Sequence, residues 1–141
     1  MSTIRHDLAR LLMPLWRALQ DAETEAVADA GLSHWHYIVL VDVLEHPGTS
    51  QKDLARRIHR APSRVAQDVE DLHGRHLLSR RDHPRDRRIN LLEVTRRGES
   101  LTISTQKRIH GAEDRLLRRL DQRQQAQLRR LLTAALDPDE F

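Results

Sequence analysis

Two helical periodicities stand back to back between Gln51 and His73, separated only by His59, Arg60 and Ala61. The first runs from Gln51 to Ile58, with Leu54, Ala55 and Ile58 on its inner face and Ser50 or Thr49 placed to cap it. The second opens on Pro62, which a first helical turn tolerates, and carries Val65, Val69 and Leu72 at a four-then-three spacing through His73. Its other face presents Ser63, Arg64, Gln67 and Asp71. Two helices joined this closely, the second with a polar face, form a helix-turn-helix pattern.

The segment C-terminal to this pair is extended rather than helical. Leu77 to Arg81 is too short for a helix and reads as a strand, and Ile89 to Val94 reads as a second. Between them, His83-Pro84-Arg85-Asp86-Arg87 is turn chemistry. The expected product is a β-hairpin whose tip carries Arg85, Arg87 and Arg88, so the motif acquires a basic wing.

Charge is distributed to match. The chain of 141 residues has a formal net charge of only +3, with 22 Arg and 2 Lys supplying the positive side. Residues 1–49 hold 3 basic and 7 acidic side chains, residues 50–98 hold 13 and 7, and residues 99–141 hold 8 and 7. The surplus therefore sits in the block that contains the helix-turn-helix and the wing, an electrostatic footprint for a polyanion. A GC-rich genome accounts for a preference for Arg over Lys, but not for this asymmetry.

The flanks are helical. Leu8, Leu11, Leu12, Leu15, Trp16 and Leu19 form one stripe, with Pro14 expected to kink the helix or mark its true start. Gly31 closes that segment, and Ser33 is placed to cap a helix carrying Tyr37, Leu40, Val41 and Leu44, which ends at His46-Pro47-Gly48. Thr95 is placed to cap a long helix to about Leu120, and Asp121 with Gln124 makes a capping box for a last helix bearing Leu128, Leu131, Leu132, Ala135 and Leu136. Residues 137–141 read as a frayed tail. Apolar stripes on both terminal helices need a partner surface, and a homodimer built from the two ends supplies one. The alternative is a monomeric bundle in which the ends pack on the module itself.

Several classes are excluded or disfavoured. With no Cys there is no disulfide, thiolate metal site or cysteine nucleophile. No apolar run approaches membrane length, and Met1 to Asp7 lacks a signal peptide's apolar stretch, so the expectation is a cytoplasmic protein without membrane contact. The nine His include no His-x-x-x-His pair. His34 and His36 point to different helix faces, and His73 and His76 lie at a helix end, so no metal or other cofactor is expected and the histidines read as surface groups. No Gly-rich phosphate loop or nucleophile elbow occurs, which argues against an enzyme.

Taken together, the order of elements resembles the MarR family of bacterial transcription regulators. The likeness is densest from Leu32 to Gly98. Leu32-Ser33, Leu40, Leu44, Pro47-Gly48 and Leu54-Ala55 match its opening, and Ser63-Arg64-Val65-Ala66-Gln67, Leu72 and Leu77-Leu78 match the recognition segment. Most specific is the wing signature, Asp-x-Arg followed by LT-x-x-G, here Asp86-Arg87-Arg88 and Val94-Thr95-Arg96-Arg97-Gly98. Departures are His36 for a common Gln, His76 for Gly, Gln67 for a frequent Arg, and Val94 for Leu.

The resemblance implies a mainly α fold with a small β-wing. A winged helix-turn-helix module, 32–98, is flanked by dimerisation helices, 1–30 and 99–136, in one 141-residue subunit. It implies double-stranded DNA as partner, with Ser63, Arg64 and Gln67 at base edges in the major groove. Asp86 holds Arg88 extended, and Arg85, Arg87 or Arg88 enters the minor groove. Arg60, Arg80 and Arg81, with Lys52, Arg56 and Arg57, are candidates for phosphates. Dimer symmetry implies a pseudo-palindromic operator with half-sites about 34 Å apart. The family's small anionic or phenolic effectors imply a cleft, for which Trp16, Arg17, Trp35, His36 and Tyr37 are candidates, although both Trp also suit a core. The expected function is a dimeric repressor released by such a ligand. Competing readings are an activator, a ligand-independent or architectural DNA-binding protein, and an interaction module for an acidic protein.

Overall fold

The computed structural model describes residues 5–136 as six helices and one small sheet. In chain order they are α1 (Leu8–Asp29), α2 (His34–Glu45), β1 (Thr49–Ser50), α3 (Gln51–Arg57), α4 (Pro62–Gly74), β2 (Leu78–Asp82), β3 (Asn90–Val94), α5 (Arg96–Leu116) and α6 (Gln122–Ala135). Helix boundaries follow local chemistry. Ser33, Ser50, Thr95 and Asp121 each accept a backbone N–H from three residues on, at 2.8–3.1 Å, as their positions in the sequence predict. Pro14 does not begin α1; the helix starts six residues earlier and runs through it.

The core lies within the central module. Val39, Leu40 and Val43 of α2, Leu54 of α3, and Val65, Val69 and Leu72 of α4 are fully buried against Leu77, Leu78 and Leu92 of the hairpin. Ala26 and Val27 close it from the end of α1, and Ile109 from α5. The tail residues 137–141 lie outside the described residues.

The sheet has three strands in the order β1-β3-β2, all antiparallel, where the sequence predicts two. The addition is the two-residue β1, whose Thr49 and Ser50 pair with Leu92 and Leu91. Gly48 makes this possible: at φ +81° it turns the chain out of α2, and its N–H donates to the Leu92 carbonyl at 2.8 Å. In the hairpin Arg80 faces Leu92 across the ladder, which sets residues 83–89 as the tip.

One junction explains the Thr-x-x-Gly signature physically. The Thr95 hydroxyl caps α5 and reaches the His76 carbonyl at 2.7 Å, which ties the start of the hairpin to the start of α5. Gly98 then passes so close that an added Cβ would stand 2.1 Å from the Leu77 carbonyl oxygen. His76 itself has φ +59°, the left-handed conformation that explains why Gly suits this position. His59, in the turn between α3 and α4, has φ +50°.

The terminal helices differ from the module. The C-terminal half of α1 packs along α5, with Asp29 and Arg108 paired at 3.3 Å. Its N-terminal half exposes Leu8, Leu11, Leu12, Met13 and Trp16. No residue of α6 is buried, and Leu131 and Leu132 are exposed on it, with Leu136 at its end.

Candidate nucleic-acid interface

α4 divides its residues between two faces. Val65, Asp68, Val69 and Leu72 are buried, while Ser63, Arg64, Gln67 and Glu70 are exposed. The three predicted contact residues therefore share an open surface near the helix N-terminus, which Pro62 begins.

At the wing tip, Asp86 and Arg88 form the pair the resemblance implies. The carboxylate accepts the Arg88 backbone N–H at 3.0 Å and the guanidinium Nε and Nη2 at 3.1 and 3.2 Å. These bonds hold the Asp86 carboxyl below the usual carboxylate range, so the pair stays charged wherever ordinary carboxylates are charged. Arg88 is nonetheless 90% exposed: the bonds fix its direction without hiding it. The turn is further closed by His83 N–H to the Ile89 carbonyl at 2.9 Å and by Arg85 N–H to the His83 ring at 3.0 Å.

The structure sorts the other cations by what already holds them. Arg64, Arg85 and Arg87 are exposed and make no ion pair with any described residue. Arg56 and Arg81 pair with Asp53 at 2.7 Å and Glu93 at 3.4 Å, but are 70% and 60% exposed. Such surface pairs are worth at most about 1 kcal/mol and yield readily to a competing phosphate.

Arg57 is different. It grips Asp42 through Nε and Nη2, the shortest contact 2.6 Å, and also donates to Thr49 at 2.8 Å. Asp42 raises its pKa further, so this guanidinium serves the α2–α3 junction rather than standing free for phosphate. Arg60 is likewise turned inward: it donates to buried Asp68 and lies over the Trp35 ring, 4.2 Å from its centroid. Arg80 is held by Glu70 of α4 at 2.9 Å. Sequence alone makes these arginines candidates for phosphate contacts, because their carboxylates lie on other elements.

The five candidate effector residues do not converge on one cavity. Trp16 and Arg17 line a shallow concavity on α1 with Ala9, Leu12, Met13 and Gln20. Trp16 is 62% exposed, so it is not a core anchor of this chain. Trp35 is covered by Arg60. His36 is not a surface group: its Nδ1 accepts the Ser33 N–H at 3.3 Å, completing the α2 capping box, and its Nε2 faces Asp71 of α4 at 3.6 Å. Tyr37 packs against the core, and burial followed by the nearby Glu23 raises its pKa, which keeps the phenol protonated at neutral pH. A surface cleft of about 560 Å³ lies elsewhere, between α1 and α5, lined by Asp21, Glu25, Lys107, Arg108 and Arg115 among others. Among the described residues no His, Asp or Glu cluster could hold a metal ion, and no helix is long and apolar enough to cross a membrane.

A three-helix core with a two-strand wing, an exposed polar helix face and a cation extended from the wing define a winged helix-turn-helix protein. The MarR family model matches residues 30–89, the heart of the module. The HTH-type transcriptional regulator BilQ of Clostridium symbiosum is 28% identical over 102 residues, covering 72% of this chain and 71% of its own length. The structure of a MarR family transcriptional regulator from Rhodococcus sp. RHA1 is similar with a TM-score of 0.78 and 26% identity, over 92% of this chain and 95% of that one. The transcriptional repressor CouR, solved on a 23-mer DNA duplex, is similar with a TM-score of 0.77 and 25% identity, over 96% of this chain and all of that one. Over residues 30–89 the chain is similar to the MarR family of transcriptional regulators, and its fold is similar to that of winged-helix members of that family.

Proposed function

We propose that the protein is a dimeric, sequence-specific DNA-binding repressor, released from a pseudo-palindromic operator by a small ligand. The observation that carries DNA binding is the pairing of two exposed surfaces. One is the Ser63–Arg64–Gln67 face of α4; the other is the wing cation Arg88, aimed outward by Asp86. Arg64 suits the O6 and N7 of guanine, and Gln67 suits adenine. Arg88, with Arg85 and Arg87, suits the negative potential of a narrow minor groove. The similarity to CouR, solved on a DNA duplex, supports double-stranded DNA as the partner here.

Dimerisation rests on the exposed apolar stripes of α1 and α6. Leu131 is 60% and Trp16 62% exposed, and burying such side chains gains roughly 1.5–3 kcal/mol each. A twofold pair of modules reads two half-sites about one helical turn apart. Ligand release is in keeping with the family: an effector binding one spacing of the two recognition helices better than the other shifts the population away from DNA. The test is to recover genomic fragments bound by the protein at moderate salt and measure their affinity with and without small phenols and carboxylates. Selective enrichment, lost in Arg88→Ala, supports the reading. Indifferent enrichment points to an architectural protein, and affinity unmoved by any ligand to a constitutive one.

A further inference from the structure

We propose that Arg60 is a positioning residue for the recognition helix, fixing the rotation of α4 about its own axis instead of touching DNA. The inference rests on the DNA-binding reading above and assigns within it a residue that sequence places among the contacts.

Arg60 sits where three helices meet. Its backbone N–H donates to the Ala55 carbonyl of α3 at 3.0 Å. Its guanidinium donates to both oxygens of Asp68 on α4, Nε at 2.7 Å and Nη2 at 3.3 Å, and its Cζ stands over the Trp35 ring of α2. The two side chains are 17% and 10% exposed, so the pair is largely shielded from water.

A buried carboxylate is costly without a partner, and Asp68 lies on the inward face of α4 among Val65, Val69 and Leu72. The sequence accepts that cost at a position where an apolar residue would pack. What the pair gives in return is direction. An apolar side chain tolerates a few degrees of helix rotation, whereas a two-pronged guanidinium–carboxylate bond does not. Gln67 precedes Asp68 by one residue, so the angle at which Asp68 is held inward sets the angle at which Gln67 faces outward. His36 adds a weaker tie from α2 to α4, at Asp71, one turn further on. Lys cannot replace Arg here: it keeps the charge but has neither the fork nor the planar group whose Cζ stands over Trp35.

The charge-conserving substitution separates positioning from phosphate contact. The probes are a genomic fragment recovered by the wild-type protein and poly(dI-dC) as non-specific DNA, each titrated across a salt series. For Arg60→Lys we expect a loss of about tenfold or more on the fragment, the size expected from losing one charge-assisted bond, and less than about twofold on poly(dI-dC). For Arg60→Gln we expect the same specific loss with the slope of log affinity against log salt unchanged, because no phosphate contact is removed. Arg60→Gln/Asp68→Asn removes both charges and leaves no unpaired buried ion, which keeps the fold if the single variants melt early. It too is expected to lose specific affinity about tenfold. Wild-type affinity in Arg60→Lys or in the double variant, or a salt slope shallower by about one in Arg60→Gln, overturns the proposal. If the wild-type protein itself shows no preference for the fragment over poly(dI-dC), the sequence-specific reading fails first, and that outcome is visible before any variant is made.

Discussion

The central module and the terminal helices solve the same packing problem to different degrees. In the module the inward-facing apolar side chains of α2, α4 and the hairpin are covered, and Val39, Leu40, Val43, Leu54, Val65, Val69, Leu72 and Leu92 have no exposed surface. In the terminal helices the apolar stripes are just as regular, yet Leu8, Leu11, Trp16 and Leu131 stand more than half exposed. A stripe of the right period marks the face that is to be covered, not what covers it. In the module the covering element is a few residues away along the chain. For α1 and α6 we assign it to a second copy.

That contrast can be broken from the arm side with the largest effect. Replacing Leu131 and Leu132 together by Glu puts charges into the proposed dimer face while leaving the module core untouched. We expect a monomer at micromolar concentration in sedimentation, an intact helical signal, and operator affinity reduced about a hundredfold or more, because two linked modules bind far better than one. A dimer that survives both substitutions removes α6 from the interface.

From the module side, the sharpest break is Gly98→Ala. An added Cβ would meet the Leu77 carbonyl oxygen at 2.1 Å and Val94 Cγ1 at 2.8 Å, and neither is a flexible side-chain end. We expect a loss of about 3 kcal/mol or more in denaturant unfolding. Gly74, where an added Cβ would meet nothing within 4 Å, provides the control: Gly74→Ala is expected to change stability by less than about 1 kcal/mol.

Within the proposed DNA-facing surface the expected effects are smaller and graded. Arg88→Ala is expected to cost roughly tenfold to a hundredfold in operator affinity without moving the unfolding midpoint. Asp86→Asn keeps Arg88 but loosens its direction, so its cost in affinity is expected to be several-fold lower than that of Arg88→Ala, in the same assay. The pH dependence carries the same sign. A carboxyl whose folded pKa is depressed contributes above its unfolded pKa and loses that contribution only as pH falls through the lower folded value. Between roughly pH 5 and 8 the wing pair is therefore expected to leave operator affinity flat.

Much of the fold is legible because its signals are local. Ser33, Ser50, Thr95 and Asp121 cap within three residues, and His76 declares its left-handed turn by standing where Gly is usual. The wing pair is legible for the same reason, since Asp86 and Arg88 are two residues apart. What escapes the sequence is set by distant partners. β1 exists only because Leu91 and Leu92 arrive beside Thr49 and Ser50. Arg57, Arg60 and Arg80 resemble free cations until Asp42, Asp68 and Glu70 are brought to them from α2 and α4. His36 resembles a surface group until the fold places it between Ser33 and Asp71. Charge counting finds the basic block, but only the fold separates the arginines that hold the module together from those it offers outward.

All of the effects expected on DNA follow from the proposal that two copies of the module read one operator through α4 and the wing. A hydroxyl-radical footprint on a recovered genomic fragment puts that proposal to the test. We expect two protected blocks related by a twofold axis, with centres about 34 Å apart along the duplex, and flanking minor-groove protection that disappears in Arg88→Ala. A single block, two blocks without twofold symmetry, or uniform protection along the fragment would show that the protein does not bind in this way.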